Sequence, residues 1–271
     1  MQYDVVVVGS GAAGLSAALA ARSNGDRVLV VEKAGVLGGT TAMSGGCIWA
    51  PRHHYTKQQG VSDTRESVLD YIRAVSPDGW HNTDEALWSA FVDTVPKVLL
   101  FLEKISPLRF IPNNDPDPYA ESTGGMAKGR NVSARPLPAG ILGLWAEKVR
   151  KPTSSIPLTY EEIVDNHFFS NPKKWALRYA PRLFWRSLRK IRTRGNSLTV
   201  GLLKGCLDAG IEIRTNTPAK RLLTTNGSIS GIEIEIEGDL VEVQVIKGVV
   251  LASGGFEWDQ EMMNQYFPGP V

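Results

Sequence analysis

YDVVVVGSGAAG, residues 3–14, sets the architecture. Residues 3–8 form a β-branched apolar run of the kind that fills a buried parallel strand. Glycines follow at 9, 11 and 14. Residues 12–24 are alanine-rich and read as a helix ending near Gly25, and RVLVV at 27–31 reads as the next strand. Strand, glycine turn, helix and strand with short connections make a β-α-β unit. The predicted class is therefore α/β, a Rossmann-like domain with a parallel sheet.

Gly9-Ser10-Gly11-Ala12-Ala13-Gly14 is G-x-G-x-x-G, and its place between strand and helix gives each glycine a task. Gly9 permits the tight turn, Gly11 lets backbone approach a pyrophosphate, and Gly14 lets helix and sheet pack closely. The helix N-terminus offers free N–H groups and partial positive charge to the phosphates. Glu32, at the end of the second strand, is placed to accept hydrogen bonds from a ribose diol, with Lys33 beside it. The motif alone is weak; the flanking elements and the acid make it specific.

This pattern does not separate NAD from FAD. Two further stretches favour FAD. GGTTAMSGG at 38–46 follows the ribose acid at once and is nearly bare backbone. It suits close approach to a pyrophosphate and to the edge of a flat ring system, with Ile48, Trp49 and Pro51 walling the next part of the pocket. Its candidate cofactor residues are Gly38, Gly39, Thr40, Thr41, Ser44, Gly45 and Gly46. VVLASGGF at 249–256 ends a strand in Ala252, Ser253 and Gly254, again with little side chain. Ala219 completes the candidate set.

Periodicity predicts helices at 64–76 and 83–104, capped by Thr64 and Thr83, at 174–192 with a break near Pro181, and at 196–209. Residues 111–140 are rich in Pro, Gly, Asn and Asp and read as one long loop, a length that usually carries function. From 211 the period becomes that of strands. Asn226-Gly227 signals a hairpin, and an antiparallel meander is expected to rejoin the parallel sheet at VVLAS.

The 271 residues are 42% hydrophobic, enough for a sizeable core. No apolar run approaches the ~20 residues of a bilayer span. Residues 3–8 are too short for a signal-peptide core, so a cytoplasmic location is expected. Cys47 and Cys206 have no metal spacing, and Cys47 is expected to be a small buried residue. His53, His54, His81 and His167 form no ligand set, so no metal is expected, and His53-His54 reads as a solvated loop. Net charge is +2, yet residues 173–194 hold nine Lys or Arg and no acid, leaving about −7 elsewhere, +2 less +9. With Trp175, Tyr179, Phe184 and Trp185 interleaved, this segment suits peripheral membrane contact, a solvated helical excursion, or a contact with a further part of the protein expected beyond Val271. No nucleic-acid module surrounds it.

The glycine motif, Gly38-Gly39-Thr40-Thr41 and Ala252-Ser253-Gly254-Gly255 together resemble the flavoprotein family of fumarate reductases and succinate dehydrogenases. Within it, G-G-T-T-A-x-S-G-G followed by I-W-x-P is similar to the 3-ketosteroid Δ1-dehydrogenase branch. The resemblance covers essentially the whole chain, most specifically residues 4–51 and 247–256. It implies FAD, held non-covalently, because Thr40 and Thr41 stand in the stretch where succinate dehydrogenases carry the histidine that bonds the flavin. It implies that residues 1–271 are the N-terminal part of a discontinuous FAD-binding domain, with a helical, basic insertion at about 151–195. The C-terminal return and the substrate domain are then expected beyond Val271.

The implied reaction removes a proton and a hydride from adjacent carbons of a 3-ketosteroid, a small-molecule substrate, and passes the electrons to an external acceptor. In that branch a tyrosine of the FAD domain lies in a Pro-rich loop before a Gly-Arg pair and a P-L-P segment. Asp117-Pro118-Tyr119, Gly129-Arg130 and Pro136-Leu137-Pro138 match this order across a small gap in spacing. The resemblance assigns to Tyr119 a catalytic role, as an assistant that hydrogen-bonds to the base. The base itself is expected beyond Val271, so this chain alone is not expected to turn over steroid. The alternatives are a fumarate or enoate reductase, a 5α-3-ketosteroid 4-dehydrogenase, and an inactive truncated FAD-binding fragment.

Overall fold

The computed structural model describes residues 1–56, 58–164, 172–267 and 269. His167, the side chain of Trp175, and Pro268, Pro270 and Val271 lie outside the description. In chain order the elements are β1 (Gln2–Val8), α1 (Ala12–Ser23), β2 (Val28–Val31), β3 (Cys47–Trp49), α2 (Arg65–Val75), α3 (His81–Ile105), β4 (Phe110–Pro112), β5 (Asn131–Ala134) and β6 (Leu137–Pro138). Then follow α4 (Tyr160–Val164), α5 (Pro172–Leu188), β7 (Ile191–Arg192), α6 (Arg194–Asp208), β8 (Glu212–Arg214), β9 (Ala219–Thr225), β10 (Ser228–Ile236), β11 (Asp239–Leu251) and α7 (Gln260–Tyr266). The chain divides into two compact units, Met1–Thr40 with Ala209–Val271, and Thr41–Asp208.

The first unit is built on a six-stranded sheet in the order β8-β2-β1-β11-β10-β9. β8, β2, β1 and the end of β11 are parallel, with Val6 between Leu29 and Val249. The valine run of β1 is buried because strands flank it on both sides and α1 lies on one face. On the α1 side, Leu15, Ala18 and Leu19 are buried, and a Cβ at Gly14 would stand 3.4 Å from Val7 Cγ1. A separate cluster joins Tyr3, Val6, Leu29 and Val31 to Ile232, Ile234, Val243 and Val245. Burying each such side chain stabilises the fold by roughly 1.5–3 kcal/mol.

β11 is a single strand of 13 residues with two pairing modes. Asp239–Gln244 pairs antiparallel with β10, and Gln244–Leu251 pairs parallel with β1. The meander and the return to the parallel sheet are thus one continuous strand. The β9–β10 turn holds Asn226 at φ 52 and Gly227 at φ 77, the left-handed pair that this hairpin geometry requires.

In the second unit β3, β5 and β4 form an antiparallel sheet and β6 pairs with β7. α6 is buried from Gly195 to Leu203, so its small and hydroxylated residues must be satisfied internally. Thr199 Oγ1 donates to Gly195 O at 3.0 Å and Ser197 Oγ to Arg135 O at 2.5 Å. Gly201 makes room for Leu108, whose Cδ2 would lie 2.3 Å from an added Cβ.

Several expectations are corrected here. Thr64 caps α2 by accepting from Ser67 N–H at 3.1 Å, but Thr83 caps nothing. α3 already begins at His81, because the Pro77–Trp80 turn feeds directly into it, and Thr83 Oγ1 donates back to Trp80 O at 3.2 Å. The long loop is shorter than expected: its ends pair as β4, β5 and β6, leaving residues 113–130 irregular. α5 runs through Pro181 without a break. Pro181 is on the exposed face. Arg182 and Arg186 both hold Glu162, at 2.9 and 2.5 Å, while Tyr179 and Leu183 pack on Leu158 and Ile163. These contacts on both sides of the proline offset its cost of about 3 kcal/mol. The helix then ends at Leu188, and Ile191–Arg192 is strand, not helix.

His53 is not solvated, and His54 is half-buried. His53 is fully buried within a turn in which Thr56 N–H donates to His53 O at 3.0 Å. His54 Nε2 lies 3.1 Å from Glu103, with its ring against Tyr55. Cys47, expected buried, is exposed at the head of β3, the edge strand of its sheet. Among the described residues no cluster of three or more His, Cys, Asp or Glu side chains is arranged to hold a metal, and no helix is long and apolar enough to cross a membrane.

Candidate functional site

The glycine turn is assembled at the C-terminal end of the parallel strands. Gly9 N–H donates to Val31 O and Ala252 N–H to Val8 O, both at 2.8 Å, so three strand ends are tied together. Gly9 sits at φ +104, and a Cβ there would lie 2.3 Å from Ala252 O. A Cβ at Gly14 would lie 2.0 Å from Gly9 O. Both glycines are required by protein packing before any ligand is considered. Gly11 is the N-cap of α1, extended, with no side-chain cap, and Ala12 and Ala13 open a first turn that contains no acid. This is the arrangement an anionic diphosphate fits, because the partial positive charge of the helix start is not offset by an acid in its own first turn.

Ser10 and Glu32 organise the second half of the cradle. Ser10 is buried. Its N–H and its Oγ both donate to Glu32 Oε2, at 3.0 and 2.5 Å. Ala34 N–H donates to Glu32 Oε1 at 2.9 Å, and Gly38 N–H donates to Ser10 Oγ at 3.0 Å. The carboxylate is therefore held in place with lone-pair capacity to spare, since an ionised carboxylate accepts about four hydrogen bonds. Gly38 and Gly39 take φ +105 and φ +48, which bends the chain back over the turn toward Gly11. Lys33 is exposed beside Glu32, and Ala219 is half-buried at the start of β9.

Two residues that sequence reading missed lie here. Thr40 Oγ1 donates to Glu257 Oε1 at 2.6 Å and accepts from Trp258 Nε1–H at 3.2 Å. The Thr40 hydroxyl holds the Glu257 carboxyl below its usual range. No pattern in residues 252–258 marks this contact, because it arises from the path of the chain after β11. Ala252 is half-buried, while Ser253 and Gly254 are exposed, at the end of that strand.

In the second unit, residues 41–46 wrap the start of α6. Gly46 has φ +68, and a Cβ there would lie 2.4 Å from Gly195 N; one at Gly195 would lie 1.9 Å from Thr41 O. Gly45 faces the Tyr160 ring, 3.2 Å from an added Cβ. Ser44 Oγ donates to Thr41 O at 2.8 Å and accepts from Gly46 N–H at 3.1 Å. The bare backbone at Gly45 and Gly46 thus has an internal packing cause. Trp49 is packed between Tyr71 and Phe91, and its Nε1–H donates to Asp117 at 2.7 Å. Tyr119 lies in the 113–130 loop, 57% exposed, its hydroxyl without a hydrogen-bond partner among the described residues.

A β-α-β unit with a glycine turn leading into its helix, an acid closing its second strand and an appended meander defines a dinucleotide-binding oxidoreductase fold. The chain belongs to the family described as FAD binding domain, whose model matches residues 4–269, and its cofactor is FAD. It is 33% identical to a 3-oxosteroid 1-dehydrogenase of Mycolicibacterium smegmatis, aligned over 100% of this chain and 50% of that protein. It is also 33% identical to a 4-oxocyclohex-2-ene-1-carboxylate 5-dehydrogenase of Sinomonas cyclohexanicum, over 98% of this chain and 46% of that one. In structure it is similar to a 3-ketosteroid delta1-dehydrogenase from Sterolibacterium denitrificans, solved with 1,4-androstadiene-3,17-dione. The TM-score is 0.88 at 29% identity, over 100% of this chain and 51% of that one. The chain spans about half the length of the curated relatives it matches.

Proposed function

We propose that this chain is the FAD-binding part of a cytoplasmic dehydrogenase that desaturates a cyclic ketone, a 3-ketosteroid in the first instance, and hands the electrons to an external acceptor. One observation carries the reading: the whole chain, cradle included, matches a ketosteroid dehydrogenase at a TM-score of 0.88. FAD, when bound, supplies the hydride acceptor; the protein's work is placement and proton handling. Gly9–Gly14 and the start of α1 hold the diphosphate, and Glu32 holds the ribose. Gly38–Thr41, Ser44–Gly46, Ala219 and Ala252–Gly254 complete the contact set, with no covalent bond to the flavin. Tyr119, whose hydroxyl has no hydrogen-bond partner among the described residues, offers a phenol that hydrogen-bonds to the catalytic base.

The test uses protein expressed from the whole reading frame that contains these residues. Anaerobic addition of a 3-ketosteroid should bleach the visible flavin band, and acid precipitation should release the flavin. Bleaching by 4-oxocyclohexanecarboxylate alone would keep the cyclic-ketone class and remove the steroid. Bleaching by neither, with reoxidation of the reduced flavin by fumarate, would establish the reductase alternative.

We also propose that α5 touches an anionic membrane surface. Leu177, Phe184 and Leu188 are exposed at 83%, 66% and 63% and, with Pro181, recur at helical spacing along one outward stripe. Trp185, with Arg189 stacked on it at 5.0 Å, and the exposed Arg178 and Arg182 flank that stripe. Co-sedimentation with anionic vesicles, lost on Phe184→Ser with Leu188→Ser, supports this; equal recovery with neutral vesicles contradicts it.

A further inference from the structure

The most heavily built polar cluster outside the cofactor cradle lies beneath the loop that carries Tyr119. Arg130 is fully buried. Its guanidinium reaches Asp63 and Asp117, each at 2.8 Å, and both carboxylates are buried with it. It lies 5.5 Å from the Tyr71 ring and 5.9 Å from the Trp49 ring. Asp63 also accepts from Arg52 N–H at 2.8 Å. Burying such ions costs several kcal/mol each, and their attraction seldom returns more than an apolar core of equal volume would. Stability alone is therefore a poor account of the cluster.

Asp117 connects it to Tyr119. Asp117 N–H donates to Met126 O at 2.9 Å, and Met126 N–H donates to Asp117 Oδ2 at 3.0 Å. These bonds close residues 117–126 into a loop with a single neck, and Arg130 Nη1 and Trp49 Nε1 hold the carboxylate at that neck. Inside the loop Tyr119 N–H reaches Tyr71 Oη at 3.4 Å, and Tyr119 O accepts from Ser122 N–H at 2.9 Å. Gly124, at φ +74, presses on α2, where a Cβ would lie 2.3 Å from Ser67 O; Ser67 Oγ accepts from Arg130 at 3.2 Å. Every fixed point faces inward, and the Tyr119 ring faces solvent.

We propose that Arg130, acting through Asp117, is the positioning residue for Tyr119: the buried ion pair sets the neck of the loop and with it the height at which the phenol is presented. This rests on the reading of Tyr119 given above. Arg130 itself touches neither substrate nor cofactor.

The test compares Asp117→Asn, Tyr119→Phe and the double variant in protein from the whole reading frame, with FAD uptake as the check on folding. Asp117→Asn should lower kcat on the ketone roughly tenfold with KM nearly unchanged, as misplacement of one reacting partner does. In the Tyr119→Phe background it should lower kcat no further, since both changes act on one interaction. Amide exchange in 118–125 should rise. Equal slowing in both backgrounds overturns the positioning role and leaves that of Tyr119 standing. Tyr119→Phe without effect on kcat overturns both. If Asp117→Asn does not fold, Trp49→Phe carries the same comparison; it removes one of the three donors to the Asp117 carboxylate, together with part of the ring packed against Tyr71 and Phe91. A loss of roughly threefold that disappears in the Tyr119→Phe background supports the positioning role, and one that persists there overturns it.

Discussion

Ser10 and Glu32 are joined twice through one oxygen: the Ser10 N–H and hydroxyl both end on Glu32 Oε2, at 3.0 and 2.5 Å. The same hydroxyl accepts from Gly38 N–H at 3.0 Å. One small side chain therefore couples the glycine turn, the ribose acid and the glycine run that follows.

Ser10→Ala removes both hydroxyl bonds while leaving the backbone turn and the residue-10 N–H bond to Glu32 intact. FAD affinity should fall roughly tenfold, the size of one to two lost hydrogen bonds to a charged group. Titration followed by quenching of flavin fluorescence reads it. An unchanged affinity would mean that Glu32 needs no help from Ser10.

Gly9→Ala puts a Cβ 2.3 Å from Ala252 O at φ +104. It should lower stability by about 3 kcal/mol, read as an earlier urea midpoint. Gly25→Ala is the control: φ is +90 but nothing lies within 4 Å, so the backbone preference alone should cost about 1 kcal/mol.

His53 should make the fold acid-sensitive. Burial, and then the neighbouring His54, push its pKa down to about 4 from 6.5. The unfolded chain takes up this proton first as pH falls. The stabilisation is therefore complete above about pH 6.5 and is lost between there and about pH 4, some ~3 kcal/mol in all. Urea midpoints across that window should fall more steeply for the natural chain than for His53→Leu. Parallel curves would contradict the assignment.

The two thiols should differ sharply in reactivity. Burial raises both thiols, Cys206 up to about 12, but only Cys47 is an exposed residue. A thiol reagent should modify one site in the folded chain and the second only after denaturation. Cys47→Ser should abolish the native reaction.

The first unit was legible because its signals are local. A valine run, glycines at fixed spacing, an acid at a strand end and an Asn-Gly turn each specify backbone geometry within a few residues. What escaped depended on distant partners. The His53 turn looks polar in sequence but is buried by what packs on it. Pro181 reads as a helix breaker, yet Glu162, far upstream, holds the arginines that carry the helix past it. Gly45 and Gly46 read as ligand backbone, but Tyr160 and Gly195 already demand them. Arg130 showed only as half of a Gly-Arg pair, and its two carboxylate partners lie 13 and 67 residues away.

The most direct test is equilibrium binding of FAD and of NAD to protein expressed from the whole reading frame that contains these residues, with and without Glu32→Ala. The account predicts uptake of a single FAD per chain, no measurable NAD binding, and a roughly tenfold weaker FAD complex for Glu32→Ala. NAD binding in place of FAD, or FAD binding indifferent to Glu32→Ala, would contradict it.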